Sequence, residues 1–175
     1  MEKLTTPIYQ ACLFKPDVFA DARGHFLVPY NLSDFKAAGI HERWLQDNQS
    51  KSVKGTLRGL HFQKGGSAQA KLVRCVAGSI YDVIVDLRPD SPSYLKWTGF
   101  HLNEENHFSL YVPKGLAHGF LVLSETAIVQ YKVDYPYEKN AEGGLRWDDP
   151  ALGIEWPDTP LLVNPRDQSW PLIKI

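Results

Sequence analysis

The sequence predicts an all-β sandwich or barrel. Three observations carry that prediction. Short apolar or alternating runs recur along the chain, polar turn signals separate them, and only one brief stretch has a helical pattern. The 175 residues suit a single domain over residues 1–175, large enough to bury a sizeable core.

In chain order, the N-terminal stretch IYQACLFKP is apolar enough to pair with another sheet edge. FLVPYN, GTLRGLHF, AKLVRCVAG, SIYDVIVDLR, LKWTGFHL, HFSLYVP, HGFLVLS and TAIVQYKV then read as strands. RPDSPS, LNEEN, VPKG, LSET and YPYEKN supply the turns between them. SDFKAAGI is the helical exception, with Ser33 placed to cap it and Gly39 to end it. From about Gly143 the chain is rich in Trp and Pro (RWDDPALGIEWPDTP) and reads as irregular coil held to the surface by aromatics.

Composition excludes several partners. The net charge of −1 gives no basic field for nucleic acid or an anionic membrane. The longest apolar runs, IYDVIVDL and AHGFLVL, are too short to span a bilayer as a helix. MEKLTTPIYQ lacks the apolar stretch of a signal peptide, which makes the cytoplasm the expected location. Cys12 and Cys75 form no CxxC, and Cys75 lies inside an apolar run as a small buried hydrophobe would.

The chemistry concentrates in RGLHFQKGGSAQAK, residues 58–71, just before the apolar LVRCVAGSIYDVIVDL. Cations beside a core must lie on its surface, be paired, or await an anion. Arg58 and His61 are three apart, so a regular strand cannot point both the same way. Either the strand bulges near Gly59, or one of the two side chains points differently. Lys71 and Val73 share a face, with Leu72 opposite. A second block, YVPKGLAHGF, sets His118 on a strand between apolar neighbours.

His, Lys, Arg and Tyr without a metal suit proton transfer beside a carbonyl. A neutral His can take the proton, a carboxylate fixes its tautomer, and Lys steadies the enolate oxygen. Inversion also needs an acid on the opposite face, and YKVDYPY offers Tyr131, Tyr135 and Tyr137.

RGLHFQ and VPKGLAH resemble the two cupin motifs, which implies a double-stranded β-helix barrel, the jelly roll, with short peripheral helices. His61-Phe62-Gln63 puts Gln at the second ligand position of the usual HxH, and no Glu follows within a dozen residues. Two of four usual ligands argue against a metal.

A wider match follows. VFADARGHF, QDNQSKS, GTLRGLHFQ, QAKLVRCVAGSIYDVIVDLRPDSP, LYVPKGLAHGFLVLSE, YKVDYPYEKNAEGGLRWDDPALGIEWP and NPRD stand in order. Over nearly its whole length the chain resembles the dTDP-4-dehydrorhamnose 3,5-epimerase family, of RmlC type. The resemblance implies a homodimer without metal or organic cofactor. It implies epimerisation of dTDP-4-dehydro-6-deoxy-D-glucose at carbons 3 and 5 to dTDP-4-dehydro-L-rhamnose. By the same resemblance His61 is the base, Asp167 its carboxylate partner, Lys71 the enolate cation and Tyr131 the acid. Arg23 and Arg58 match diphosphate contacts, and Phe19 and Tyr137 match aromatics that sandwich the base. Gln46, Asn48, His118, Glu142 and Arg166 match further substrate contacts, with Arg166 where Lys is common. Val28 stands where the family often has a Glu that contacts the nucleotide, and Pro136 where many members have Tyr. Two rivals share these residues in part: a one-carbon epimerase or keto-isomerase, and a non-catalytic cupin that binds a sugar nucleotide.

Overall fold

A computed structural model describes residues 1–173. The strands in order are β1 (Glu2–Thr5), β2 (Cys12–Lys15), β3 (Val18–Asp21), β4 (Gly24–Leu27), β5 (Gln46–Val53), β6 (Thr56–Gln63) and β7 (Lys71–Ala77). They continue with β8 (Ser79–Asp86), β9 (Trp97–Asn103), β10 (Ser109–Val112), β11 (Leu116–Val122), β12 (Thr126–Val133), β13 (Glu142–Gly144) and β14 (Leu162–Val163). Helix α1 (Leu32–Ala37) follows the β3–β4 hairpin, and α2 (Pro165–Gln168) follows β14. No helix of the described residues is long and apolar enough to cross a membrane.

Two sheets face each other in a cupin-like jelly roll. One runs β1-β2-β10-β7-β12-β5; the other runs β13-β6-β11-β8-β9, with β14 parallel beside β6. Strand alternation sorts the apolar residues into three layers. Between the sheets lie Val73, Cys75, Ile80, Ile84, Leu110, Phe120 and Val129. Outside the first sheet, Phe14, Leu72 and Tyr111 meet Phe35 and Ile40 from the α1 segment, with Phe35 stacked on Phe14 at 4.1 Å. Outside the second sheet, Leu60, Val83 and Val85 are covered by Leu145, Leu152 and Trp156 of the C-terminal segment. Each large side chain buried this fully contributes roughly 1.5–3 kcal/mol.

The α1 segment corrects one expectation. Asn31, not Ser33, caps the helix, accepting from the Ser33 and Asp34 amides. Ser33 sits inside the first turn, where its hydroxyl also reaches Asn31. Asn is as good a cap as Ser, and the residue with extended dihedrals takes the role. Gly39, at φ +83°, does end the helix. The N-terminal strand pairs as its apolar character suggests, but with its own chain: β2 lies between β1 and β10. The C-terminal segment is not all coil, since β13, β14 and α2 lie within it.

The β3–β4 hairpin belongs to neither sheet. Val18, Phe19, Phe26 and Val28 along it are exposed.

Candidate active site

A cavity of about 580 Å³ opens between the sheets. Strands β6 and β11 supply Arg58, His61 and His118; β7 and β12 supply Lys71 and Tyr131 from across the gap. Glu142 of β13, with Arg166 and Asp167 of α2, closes one side.

A bulge makes the β6 face possible. His118 pairs with His61 and Phe120 with Arg58, so three steps along β6 match two along β11. The extra residue lets Arg58 and His61 line one cavity while Leu60 turns outward into the third layer. Gly59 has φ +122°, and a Cβ there would sit 2.6 Å from the Gly119 Cα. Only glycine fits such a crossing.

His61 Nε2 lies 2.6 Å from Asp167 Oδ1, and the Gly59 amide donates to Asp167 Oδ2 at 3.2 Å. Burial alone would raise the Asp167 carboxyl; the hydrogen bond and charge of His61 and the Gly59 amide outweigh it and hold the group below the ordinary carboxylate range. Asp167 therefore stays a carboxylate, Nε2 of His61 carries the proton, and Nδ1 is left as the basic nitrogen. The His61 side chain is 33% exposed, which leaves it open to the cavity.

Lys71 is buried, and its ammonium has one long contact, 3.4 Å to the His61 carbonyl. Desolvation lowers its pKa to about 8, against the opposing charges of Asp82 and Glu142. At pH 7 it remains about nine-tenths protonated, a cation with donors to spare. Burial raises the Tyr131 phenol, opposed by Arg58, so it keeps its proton near neutrality. Arg58 Nε donates to Ser52 Oγ at 3.0 Å, which fixes the guanidinium.

His118 is buried, with Nε2 at 2.9 and 3.0 Å from the two oxygens of Asp82. Desolvation lowers its pKa; Asp82 opposes that, while Lys71 and His61 reinforce it. Asp82 has no exposed surface, and the sequence reading passed over it. Its signal was present: even-numbered positions of β8 point inward with Ile80 and Ile84, and a charge there must have a partner.

At the rim, Tyr137 donates to Glu142 Oε2 at 2.6 Å, and Arg166 bonds the same oxygen. Arg166 also lies over the Trp170 ring, 5.3 Å from its centroid. Gln63 is turned away as a metal ligand: Nε2 donates to the Ser67 and Pro136 carbonyls, and Oε1 accepts from the Glu138 amide. Among the described residues no three His, Cys, Asp or Glu converge as a ligand set, so these side chains do not fit the metal that many cupins hold.

Four of the predicted contacts lie elsewhere. Arg23 is paired with Asp21 at 2.6 Å on the exposed hairpin, and Phe19 is 64% exposed beside it. Gln46 donates to Asn48 at 2.6 Å at the start of β5. Asn48 lines a second cavity of about 300 Å³ that shares Tyr131 with the first. Leu162, Val163 and Asn164, which the sequence reading did not single out, line the main cavity from β14 and the residue after it.

The comparisons agree on one family, among whose members is also a Streptomyces niveus dTDP-4-dehydrorhamnose 3-epimerase, 41% identical over 88% of this chain and 75% of its own. A family model described as dTDP-4-dehydrorhamnose 3,5-epimerase matches residues 5–174. The Escherichia coli dTDP-4-dehydrorhamnose 3,5-epimerase is 45% identical, over 96% of this chain and 92% of its own. A crystal structure of the Bacillus anthracis enzyme of that name, with TDP and PPi bound, superposes with a TM-score of 0.96 at 44% identity, covering 98% of this chain and 99% of that one. The Legionella pneumophila dTDP-6-deoxy-D-glucose-3,5-epimerase, in complex with dTDP-4-keto-L-rhamnose, gives 0.94 at 38% identity over 98% and 92%. With its jelly roll, its His-Asp pair and this match along nearly all of its length, the chain belongs to the dTDP-4-dehydrorhamnose 3,5-epimerase family.

Proposed function

We propose that the chain epimerises dTDP-4-dehydro-6-deoxy-D-glucose at carbons 3 and 5, giving dTDP-4-dehydro-L-rhamnose. One observation carries the reading: the His61–Asp167 pair opens onto the same cavity as a buried cationic Lys71 and a protonated Tyr131. These are the base, the oxyanion partner and the acid that inversion beside a ketone requires.

His61 Nδ1 removes the proton from a carbon next to the ketone. The C–H electrons form the enolate, and charge gathers on the ketone oxygen beside Lys71. Asp167 balances the imidazolium. Tyr131 gives its proton to the opposite face of the carbon, and the enolate collapses to the inverted ketone. His61 then releases its proton to water, and the Tyr131 phenolate takes one up. The cycle repeats at the second carbon, and each turn brings one solvent hydrogen into the sugar.

Arg58 binds the diphosphate, a task suited to a fixed guanidinium. Tyr137, with Glu142 and Arg166 beneath it, forms a rim on which the base stacks. The chain works as a homodimer. The hairpin's exposed Val18, Phe19, Phe26 and Val28 form a surface that a second copy would cover. The same docking would bring Phe19 and Arg23, which lie away from their own subunit's cavity, toward a neighbouring one. The Val28 side chain offers no hydrogen bond to the nucleotide, so stacking takes a larger share of base recognition.

The test is turnover of dTDP-4-keto-6-deoxyglucose, with the product trapped by a 4-keto reductase. Trapped dTDP-rhamnose supports the reading. Recovery of unchanged substrate over a day at micromolar protein refutes it.

A further inference from the structure

The cavity wall holds two histidines with the same outward arrangement. His61 and His118 are register partners on β6 and β11, and each gives Nε2 to a carboxylate. Asp167 behind His61 is already part of the proton-transfer machinery. Asp82 behind His118 is not. It lies outside the cavity wall, has no exposed surface, and uses both oxygens on one ring nitrogen.

A carboxylate sealed between two sheets is costly unless something compensates it. His118 supplies hydrogen bonds. Lys71, on the facing sheet, supplies positive charge, and its ammonium makes no ion pair within 4 Å among the described residues. A group that brings this cost into the centre of a core, directly behind one cavity side chain, has its effect through it.

We propose that Asp82 is a positioning residue of the epimerase: it locks His118 as the Nε2–H tautomer, so that Nδ1 faces the cavity as an acceptor for a sugar hydroxyl. The inference rests on the epimerase reading above.

The tautomer follows from the contacts. A carboxylate accepts only, so Nε2 must donate. Nδ1 makes no hydrogen bond to the described residues, and the ring lines the cavity. A neutral ring in that tautomer can only accept there. It cannot steady an enolate oxygen, which leaves that task to Lys71. It can hold a hydroxyl of the sugar, fixing the ring so that the acidic carbon meets His61. Burial explains why His118 is not a second base: desolvation, with Lys71 and His61 nearby, resists the imidazolium even with Asp82 behind it.

Asp82→Asn keeps the shape and removes the charge. In the full-length protein we expect kcat at pH 7 to fall about tenfold, because the sugar is no longer held with its acidic carbon at His61. The affinity for dTDP should stay within about twofold, because Arg58 and the rim are untouched. A kcat at pH 7 equal to that of the unaltered protein would overturn the proposal. If Asp82→Asn does not fold, the unaltered protein still decides. The ¹⁵N ring signals of His118 should show a neutral Nε2–H tautomer at pH 7. An Nδ1–H tautomer, or an imidazolium at pH 7, would overturn the proposal. Because the NMR measurement needs no substrate, it remains decisive even if the chain proves to turn over no keto sugar.

Discussion

His61 and His118 face each other across β6 and β11, and each is backed by an aspartate. What separates them is solvent. His61 is one-third exposed and can carry a proton to and from water, whereas His118 is 7% exposed. His61→Ala should therefore lower turnover by about 10²–10⁴-fold while calorimetric titration with dTDP stays near the unaltered value. Unchanged turnover would remove His61 from the mechanism. Tyr131→Phe separates the two half-steps: solvent deuterium should still enter the sugar, but with the starting configuration, since His61 returns the hydrogen to the face it came from. Lys71 sets a pH limit. Its pKa is lowered to about 8, so the cation is present below that value and lost as pH rises through it. kcat/KM should accordingly fall on an alkaline limb near pH 8, and a rate that stays flat to pH 10 would deny Lys71 its role. At this scale Arg58, His61 and Lys71 were legible on their own, because they crowd against an apolar run where charge needs a reason, whereas Asp167, Glu142 and Arg166 were pointed to only by the family resemblance. Asp82 sat inside such a run and escaped the same question, although strand parity placed it on the inner face.

The bulge at Gly59 joins local backbone to chemistry. Arg58 and His61 could share a cavity only if the strand broke its alternation, and the register shift against β11 shows that it does. Gly59→Ala would force a Cβ against the Gly119 backbone at a left-handed φ. We expect a loss of about 2 kcal/mol or more in denaturant unfolding, with activity falling further than stability alone requires. An active variant of normal stability would mean that the crossing is looser than the geometry implies. Elements with a strong apolar period were legible: β7, β8, β11 and β12 lie where alternation put them. β5 was not, because QDNQSKSV is a polar edge strand held by pairing with β12 and carries little hydrophobic signal. α2 was missed as well. Its four residues are too few to show a helical period, yet they carry Asp167 to His61 from over one hundred residues away.

For the whole molecule, an all-β sandwich or barrel was readable because strands and turns repeat at short spacing, and the cupin resemblance narrowed it to the jelly roll, whereas the hairpin's position was not readable. Nothing in VFADARGHF says that β3 and β4 will stand clear of both sheets with their apolar side chains in water. Sedimentation equilibrium should show a dimer, and Phe19→Ser with Phe26→Ser should weaken it and raise KM more than it lowers kcat. A monomeric but fully active protein would leave the hairpin without a role in the site. The central claim is that one base and one acid, in a single cavity, invert two carbons flanking a ketone. It is tested most directly by proton NMR of dTDP-4-keto-6-deoxyglucose incubated with the protein in deuterated water. The account predicts deuterium at both carbon 3 and carbon 5 of an inverted sugar. Deuterium at one carbon alone, or at neither, would contradict it.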